Sequence, residues 1–173
     1  SIKEAVENSK IILTMLSDDE AVISVISSKD FLENIKAESI VVDMSSTKPT
    51  TSKKIYEILK KKDVHFLDAP VSGGTVGAEN GTLAIMVGGD ELIFKKVIDL
   101  FKTMGNSTLV GPVGSGQIAK LANQIIVGVT IGAVAEAKHL CKKAAQSVTG
   151  GRVALASSFS RSRAPSARRY HKR

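Results

Sequence analysis

The stretch SIVVDMSSTKPTTSKKIYEILKKKDVHFLD, residues 39–68, decides the fold class. Its first five residues form a short apolar run that predicts a buried strand, and its last five residues predict another. Between these runs, a loop rich in Ser and Thr leads into a segment with apolar residues at helical spacing: Ile55, Ile58 and Leu59. Alternation of strand, helix and strand is typical of a parallel sheet with helices on both faces.

The same pattern continues on both sides of this stretch. Residues 10–16 predict a buried strand, and Asp18 or Asp19 can cap the helix that follows it. On the other side, residues 69–81 are rich in Gly, Ser and Thr and predict a loop. A strand over 82–87, a helix carrying Ile93, Phe94, Val97, Ile98 and Phe101, and a short strand over 108–110 then follow.

The last predicted element is a long helix from about Gln117 to about Ala145. The fold class that we predict is α/β: part of a doubly wound (Rossmann-type) parallel sheet, followed by the start of an all-α domain. Its most apolar part, residues 118–137, is interrupted by four polar side chains, so we expect no membrane span there: Lys120, Asn123, Gln124 and Glu136.

Composition excludes several classes of protein. The chain is 43% hydrophobic and 24% charged, as in ordinary globular proteins. Cys141 is the single cysteine, so no internal disulfide can form and a reducing compartment is the default. No secretory signal is visible, and we expect a cytoplasmic protein. Seven aromatic residues are too few for a surface that stacks single-stranded nucleic acid.

Charge divides the chain in two. Residues 1–137 carry 14 Lys, no Arg and 17 acidic residues, a net charge of −3, whereas residues 138–173 carry 4 Lys, 6 Arg and no acidic residue, a net charge of +10. We expect residues 150–173 to be a basic tail that is mobile or belongs to an incomplete domain. Binding of nucleic acid through this tail rests on charge alone, and we expect none.

The segment DAPVSGG, residues 68–74, is the first candidate site. It follows a predicted strand, and ligands of open α/β sheets bind outside the carboxyl ends of the strands. Ser72 offers a hydroxyl, and Gly73 and Gly74 offer backbone N–H groups that an anion can approach closely. The alternative is a plain loop whose glycines serve tight turns.

Lys120 is the second candidate, because it lies in the first turns of the most apolar helix. Asn123 and Gln124 follow three and four residues later, near the same helix face. Burial would lower the pKa of this lysine, as a general acid or base requires. The alternative is a lysine that extends its ammonium group to water from a helix end. His139 and Cys141 are too isolated for a metal site, and we predict none.

Three segments together resemble the 3-hydroxyisobutyrate dehydrogenase (β-hydroxyacid dehydrogenase) family, and within it the branch of 2-hydroxy-3-oxopropionate (tartronate semialdehyde) reductases. DAPVSGGTVGAENGTLAIMVGGD, residues 68–90, resembles the substrate loop and following strand of the family. GSGQIAKLANQII, residues 114–126, resembles its interdomain helix, and VVDMSSTKP, residues 41–49, resembles the loop beside the nicotinamide.

The resemblance implies a role for nine residues. Lys120 would be the catalytic acid/base. The substrate would be held by Ser72, Gly73, Gly74, Asn123 and Gln124. The cofactor, NAD or NADP, would be contacted by Leu16, Ser17 and Ser46. The family usually has Leu-Pro where this chain has Leu16-Ser17.

The resemblance also implies an organisation and a reaction. Residues 1–112 would be the C-terminal part of an NAD(P)-binding domain, and residues 113–149 an interdomain helix that opens an all-α domain. The reaction would be hydride transfer between nicotinamide and a small 3-hydroxy acid or semialdehyde, in a homo-oligomeric full-length parent. The Gly-rich pyrophosphate loop of the family does not occur in this sequence, so we expect a fragment that binds NAD(P) poorly. The alternative is a non-enzymatic core that acts as an interaction or dimerisation piece.

Overall fold

The structure is a computed structural model that describes residues 1–147, so the expectation of a mobile tail over 150–173 lies outside the described residues. The chain divides into two compact units, Ser1–Ile126 and a unit that begins at Val127. Every candidate site residue belongs to the first unit. The predicted domain limits at 112 and 149 remain predictions.

The described residues form seven helices and six strands. In chain order these are α1 (Ile2–Glu7), β1 (Ile11–Thr14), α2 (Asp19–Ile26), α3 (Lys29–Leu32), β2 (Ile40–Asp43), α4 (Pro49–Lys60), β3 (His65–Asp68), β4 (Val71–Ser72), α5 (Gly74–Glu79), β5 (Leu83–Gly89), α6 (Glu91–Met104), β6 (Gly105–Gly111) and α7 (Ser115–Ser147).

One six-stranded sheet organises the first unit. Strands β1, β2 and β3 are parallel neighbours, whereas β5 runs antiparallel to β3 and β4 and parallel to β6. The predicted α/β fold with a Rossmann-type sheet is confirmed. In detail the sheet is mixed, because the chain reverses direction between β3 and β5 instead of crossing over through a long helix.

The largest difference from the prediction is over residues 69–81, where the structure has a strand and a helix instead of a loop. Strand β4 pairs Val71 with Ile85 and Ser72 with Ala84 on β5. Helix α5 begins at Gly74 and is only six residues long. The two elements are shorter than any pattern that sequence periodicity can reveal.

The centre of the sheet is buried on both faces, as the apolar run of β2 predicts, whereas β1 was expected to be buried on both faces and is buried on one only. Val41 and Val42 are adjacent on β2 and both fully buried, yet they belong to two different hydrophobic clusters. Since successive side chains of a strand point to opposite faces, these clusters lie on opposite sides of the sheet. Phe101 of α6 anchors one cluster and Ile55 of α4 the other.

Two aspartates cap the helices beside the site. Asp18 caps α2, since its carboxylate accepts a hydrogen bond from Ala21 N at 2.9 Å. Asp19 caps α4 from outside that helix, accepting from Lys48 N at 3.0 Å and from Thr51 Oγ1. Lys48 itself offers no capping side chain. The loop that precedes α4 is thereby attached to α2.

Helix α7 is long and apolar enough to cross a membrane by length and composition, with a mean hydropathy of 1.6 in a window within Ser115–Ala144. One such helix is weak evidence for a span, because core helices of soluble proteins have the same composition. Its amino-terminal part, up to Ile126, belongs to the first compact unit and carries the candidate lysine.

Candidate functional site

Lys120 and Asn123 of α7 face the strand that sequence reasoning missed. Lys120 Nζ donates a hydrogen bond to the carbonyl oxygen of Val71 at 2.7 Å, and Asn123 Nδ2 donates to Ser72 Oγ at 3.2 Å. Both side chains are half-buried. Burial lowers the pKa of the Lys120 ammonium below its usual value. The structure therefore brings together three of the predicted site residues.

The two glycines after Ser72 adopt backbone conformations that favour glycine. Gly73 has a φ of +141° and Gly74 a φ of +63°. A Cβ on Gly73 would also lie 3.1 Å from Leu83 Cδ2, whereas a Cβ on Gly74 would meet nothing within 4 Å. Both residues are exposed, and they directly follow Ser72 in the chain.

The structure separates the two amides that the sequence treated alike. Asn123 reaches Ser72, whereas Gln124 is exposed, and its Oε1 lies 3.5 Å from Asn123 Nδ2. The adjacent residues point in different directions because each helical residue turns by about 100°. Asn123 is the amide that lies beside the strand.

Asp68 attaches the first turn of α7 to the sheet. It is fully buried, and its Oδ1 accepts from Gly114 N at 2.7 Å while its Oδ2 accepts from Gln117 N at 3.0 Å. These donors are among the N–H groups that a helix leaves free at its start. Burial raises the pKa of the Asp68 carboxyl, and the backbone hydrogen bonds from Gly114 and Gln117 oppose that rise.

Two glycines permit this close approach. A Cβ on Gly88 of β5 would lie 2.5 Å from Asp68 Oδ1, and a Cβ on Gly116 would lie 2.4 Å from the carbonyl oxygen of Met86. Contacts this short are excluded for a real side chain, so α7 approaches the sheet only where both positions are glycine.

Gln117 joins the same helix turn to the loop after β2. Its side chain is 1% exposed. Its Nε2 donates to the carbonyl oxygen of Ser45 at 2.8 Å, and its Oε1 accepts from Thr47 N at 3.1 Å. One amide group therefore holds both sides of Ser46.

A second buried carboxylate organises the ends of β1 and β2. Asp43 Oδ1 accepts from Thr14 Oγ1 at 2.9 Å and from Ser45 N at 3.2 Å. Ser45 Oγ in turn accepts from Leu16 N at 2.9 Å. Burial raises the pKa of Asp43, opposed by hydrogen bonds from Ser45 and Thr14. The turns after the two strands form one hydrogen-bonded unit.

The three predicted cofactor residues lie in this unit or beside it. Leu16 is bonded to Ser45 through its backbone N–H. Ser17 is exposed, and its hydroxyl donates to Asp18 Oδ2 at 2.9 Å. Ser46 is exposed, and the neighbouring Thr47 Oγ1 is buried without a hydrogen-bond partner. The predicted cofactor residues are therefore on turns at the carboxyl ends of β1 and β2.

A cavity of about 960 Å³ lies elsewhere, between α4 and α6. Its walls include Lys53, Tyr56, His65, Glu38 and Lys96, and neither Lys120 nor Ser72. His65 Nε2 is 3.2 Å from Glu38 Oε2 at the amino end of β3. The candidate site is therefore not in this cavity, because the polar side chains that come together lie at the opposite, carboxyl ends of the strands.

Three buried residues of the site were not predicted as functional: Asp43, Asp68 and Gln117. A signal existed for the first two, because each is an acidic residue at the end of an apolar strand, where burial requires a specific partner. For Gln117, the only signal in the sequence was its position three residues before Lys120. Its partners are about 70 residues away in the sequence, and no local pattern identifies them.

Comparison with known proteins agrees with this geometry. Residues 1–114 match the family described as the NAD binding domain of 6-phosphogluconate dehydrogenase. The chain belongs to this NAD-binding family. The match covers the sheet and ends at Gly114, where the Asp68 carboxylate binds the start of α7.

Relatives of this chain include enzymes named for small hydroxy acids. It is 44% identical over 168 residues to the 2-hydroxy-3-oxopropionate reductase of Escherichia coli, covering 93% of this chain and 56% of the relative. It is 37% identical over 142 residues to the NAD-dependent L-serine dehydrogenase of Pseudomonas aeruginosa, covering 81% of this chain and 48% of the relative. The predicted resemblance to β-hydroxyacid dehydrogenases is confirmed.

A solved structure shows the same fold. The 3-hydroxyisobutyrate dehydrogenase of Mycobacterium tuberculosis, with L-serine, matches 91% of this chain and 57% of its own chain at a TM-score of 0.78 and 30% identity. The chain thus spans about half the length of the curated relatives that it matches.

Proposed function

We propose that this chain carries the acid/base and substrate-binding half of an NAD- or NADP-dependent oxidoreductase for small 3-hydroxy acids and their semialdehydes. The observation that carries the proposal is the pair of hydrogen bonds from Lys120 to Val71 and from Asn123 to Ser72. Together they place an ammonium group and a hydroxyl beside two exposed glycines at the end of the sheet.

The residues present fit the nicotinamide half of the cofactor. The turns after β1 and β2 are held rigidly by Asp43 and Gln117, and they leave the exposed Ser46 hydroxyl for a polar ligand. Thr47 Oγ1, buried without a partner, is a further available donor and acceptor. When bound, the dinucleotide supplies or accepts the hydride.

The chain's own residues would bind the carboxylate of the substrate and exchange a proton with its carbonyl oxygen. Ser72 Oγ and the N–H groups of Gly73 and Gly74 would bind its carboxylate, with Asn123 orienting the Ser72 hydroxyl. Lys120 Nζ would give its proton to the oxygen of the carbonyl group as that oxygen becomes an alkoxide. In the oxidising direction, the neutral amine would take the proton back. A lowered pKa of Lys120 favours both transfers at neutral pH.

The substrates named for the relatives guide the choice of assay. Tartronate semialdehyde is the first substrate to test because of the 44% identity to the E. coli reductase. We also propose a cytoplasmic location, supported by the single cysteine, and a homo-oligomeric parent, supported by exposed apolar residues on α7 such as Leu121 and Ile125. We propose that α7 is not a membrane span, since Lys120 and Asn123 are bonded to β4.

The test uses a chimera in which the E. coli reductase supplies the parts of its own length that this chain does not cover. We expect it to reduce tartronate semialdehyde with NADH or NADPH. Lys120→Ala should lower turnover by a factor of roughly 10² to 10⁴, the usual contribution of general acid/base catalysis, without changing nucleotide affinity. A folded chimera that is inactive on semialdehydes and hydroxy acids with both nucleotides would refute the proposal.

A further inference from the structure

Among the amide side chains described on α7, which are those of Gln117, Asn123 and Gln124, that of Gln117 has both its nitrogen and its oxygen bonded to the backbone of another part of the chain. Its backbone N–H binds Asp68 Oδ2, its Nε2 binds the carbonyl oxygen of Ser45, and its Oε1 binds Thr47 N. The side chain is buried, whereas Gln124 on the same helix is exposed. Burying an amide is unfavourable unless its hydrogen bonds are satisfied, so the buried side chain of Gln117 depends on its two partners, Ser45 and Thr47.

These three bonds join separate parts of the site. The backbone bond fixes the turn of α7 to the end of β3, and the side-chain bonds fix the loop after β2 to that same turn. Lys120 lies three residues further along the helix, within one turn. Gln117 therefore links the loop that carries Ser46 directly to the helix that carries Lys120, and its own hydrogen bonds are to Ser45, Thr47 and Asp68.

We propose that Gln117 is a positioning residue that sets the distance between the Ser46 loop and the Lys120 ammonium. Its role in the reaction rests on the proposed function, since hydride and proton must reach one carbonyl group from two different sides. Misplacement of reacting groups by about 1 Å can cost about a hundredfold in rate. Gln117 would act only through the loop and the helix that it joins.

The first test measures amide hydrogen exchange in the 173-residue chain. Gln117→Met keeps the shape but removes both polar ends, so Thr47 N–H loses its acceptor. We expect Thr47 to exchange about tenfold faster, or more, relative to Ile85 in the core of β5.

Val97→Ala is the control for a general loss of stability. Val97 is buried in α6, and its truncation should speed the slow amides of the core and of the loop together. Selective exposure of Thr47 in Gln117→Met supports the proposal. Equal acceleration of Thr47 and Ile85 in Gln117→Met would overturn it.

The second test separates positioning from folding in the chimera. Gln117→Met should raise the KM for the nucleotide and lower kcat, each by about tenfold, and leave the pH profile set by Lys120 unchanged. A merely structural role would lower the active fraction and leave KM as it was, which would overturn the proposal. If the unsubstituted chimera is inactive, the proposed function fails, and the exchange experiment still decides whether Gln117 joins the loop to the helix.

Discussion

Asp43 and Asp68 occupy equivalent positions on adjacent strands but hold different parts of the molecule together. They are register partners at the last positions of β2 and β3, and burial raises the pKa of both. Asp43 accepts two hydrogen bonds on one oxygen, Oδ1, from the Thr14 hydroxyl and from Ser45 N. Asp68 accepts one hydrogen bond on each oxygen, from N–H groups 46 and 49 residues away in the sequence. Asp43 thus joins the turns after β1 and β2, whereas Asp68 makes a long-range contact that joins β3 to the start of α7.

The largest difference should appear when each carboxylate becomes an amide. Asp68→Asn places an NH₂ group against Gly114 N or Gln117 N and should cost about 3 kcal/mol of unfolding free energy. Asp43→Asn can keep Oδ1 as the acceptor of both hydrogen bonds and should cost about 1 kcal/mol. Urea unfolding of the two variants checks this order, and equal losses would break the comparison.

A glycine lies at the long-range contact, and filling it should have the next largest effect. A Cβ on Gly116 would lie 2.4 Å and 2.7 Å from the carbonyl oxygens of Met86 and Asp68. Gly116→Ala should therefore destabilise by about 2 kcal/mol, since backbone must move. Gly128→Ala on the same helix meets nothing within 4 Å and should stabilise by about 0.5 kcal/mol. Thermal unfolding measures both effects, and equal melting temperatures of the two variants would contradict the close packing at Gly116.

The smallest expected effect is on the pH dependence of the free energy of unfolding, to which Asp43 and Asp19 should contribute with opposite signs. Because burial raises the folded-state pKa of Asp43 above its ordinary value of 3.8, its stabilising contribution is present at acid pH and is lost as pH rises through the folded pKa. Hydrogen bonds from Thr51 and Lys48 lower the pKa of the more exposed Asp19, so its contribution is present above 3.8 and is lost as pH falls through its folded pKa.

Asp43→Asn and Asp19→Asn should therefore change the pH dependence of unfolding in opposite directions. Wild type should gain stability relative to Asp43→Asn as pH falls from about 7 to about 3, and lose stability relative to Asp19→Asn over the same range. Urea unfolding at several pH values measures both differences. Slopes of the same sign would mean that burial and hydrogen bonding are misassigned at one of the two carboxylates.

The sequence predicts those parts of the molecule that depend on local pattern. Apolar runs identify β1, β2 and β3, and helical spacing identifies α4, α6 and α7. The sequence leaves Asp18 or Asp19 as the cap of α2, and the structure shows that it is Asp18. The sequence does not predict the strand within residues 69–81, because β4 is two residues long and is defined by its pairing with β5. It does not identify Asp68 and Gln117 as site residues, because their partners are brought together only by the folded sheet. The residues alone make Lys120 and Ser72 candidates, and the resemblance to a family gives each a role. The structure then shows Lys120 bonded to Val71, the neighbour of Ser72.

The central claim is that Lys120 exchanges a proton with the substrate. Turnover of Lys120→Arg in the chimera tests it most directly, with Lys138→Ala on the same helix as the control for loss of an exposed lysine. A guanidinium keeps its proton, so the account predicts that Lys120→Arg lowers turnover by roughly 10² to 10⁴ at unchanged nucleotide affinity, while Lys138→Ala has no effect. Near-normal turnover of Lys120→Arg would contradict the account and leave Lys120 as a lysine that only extends its charge to water.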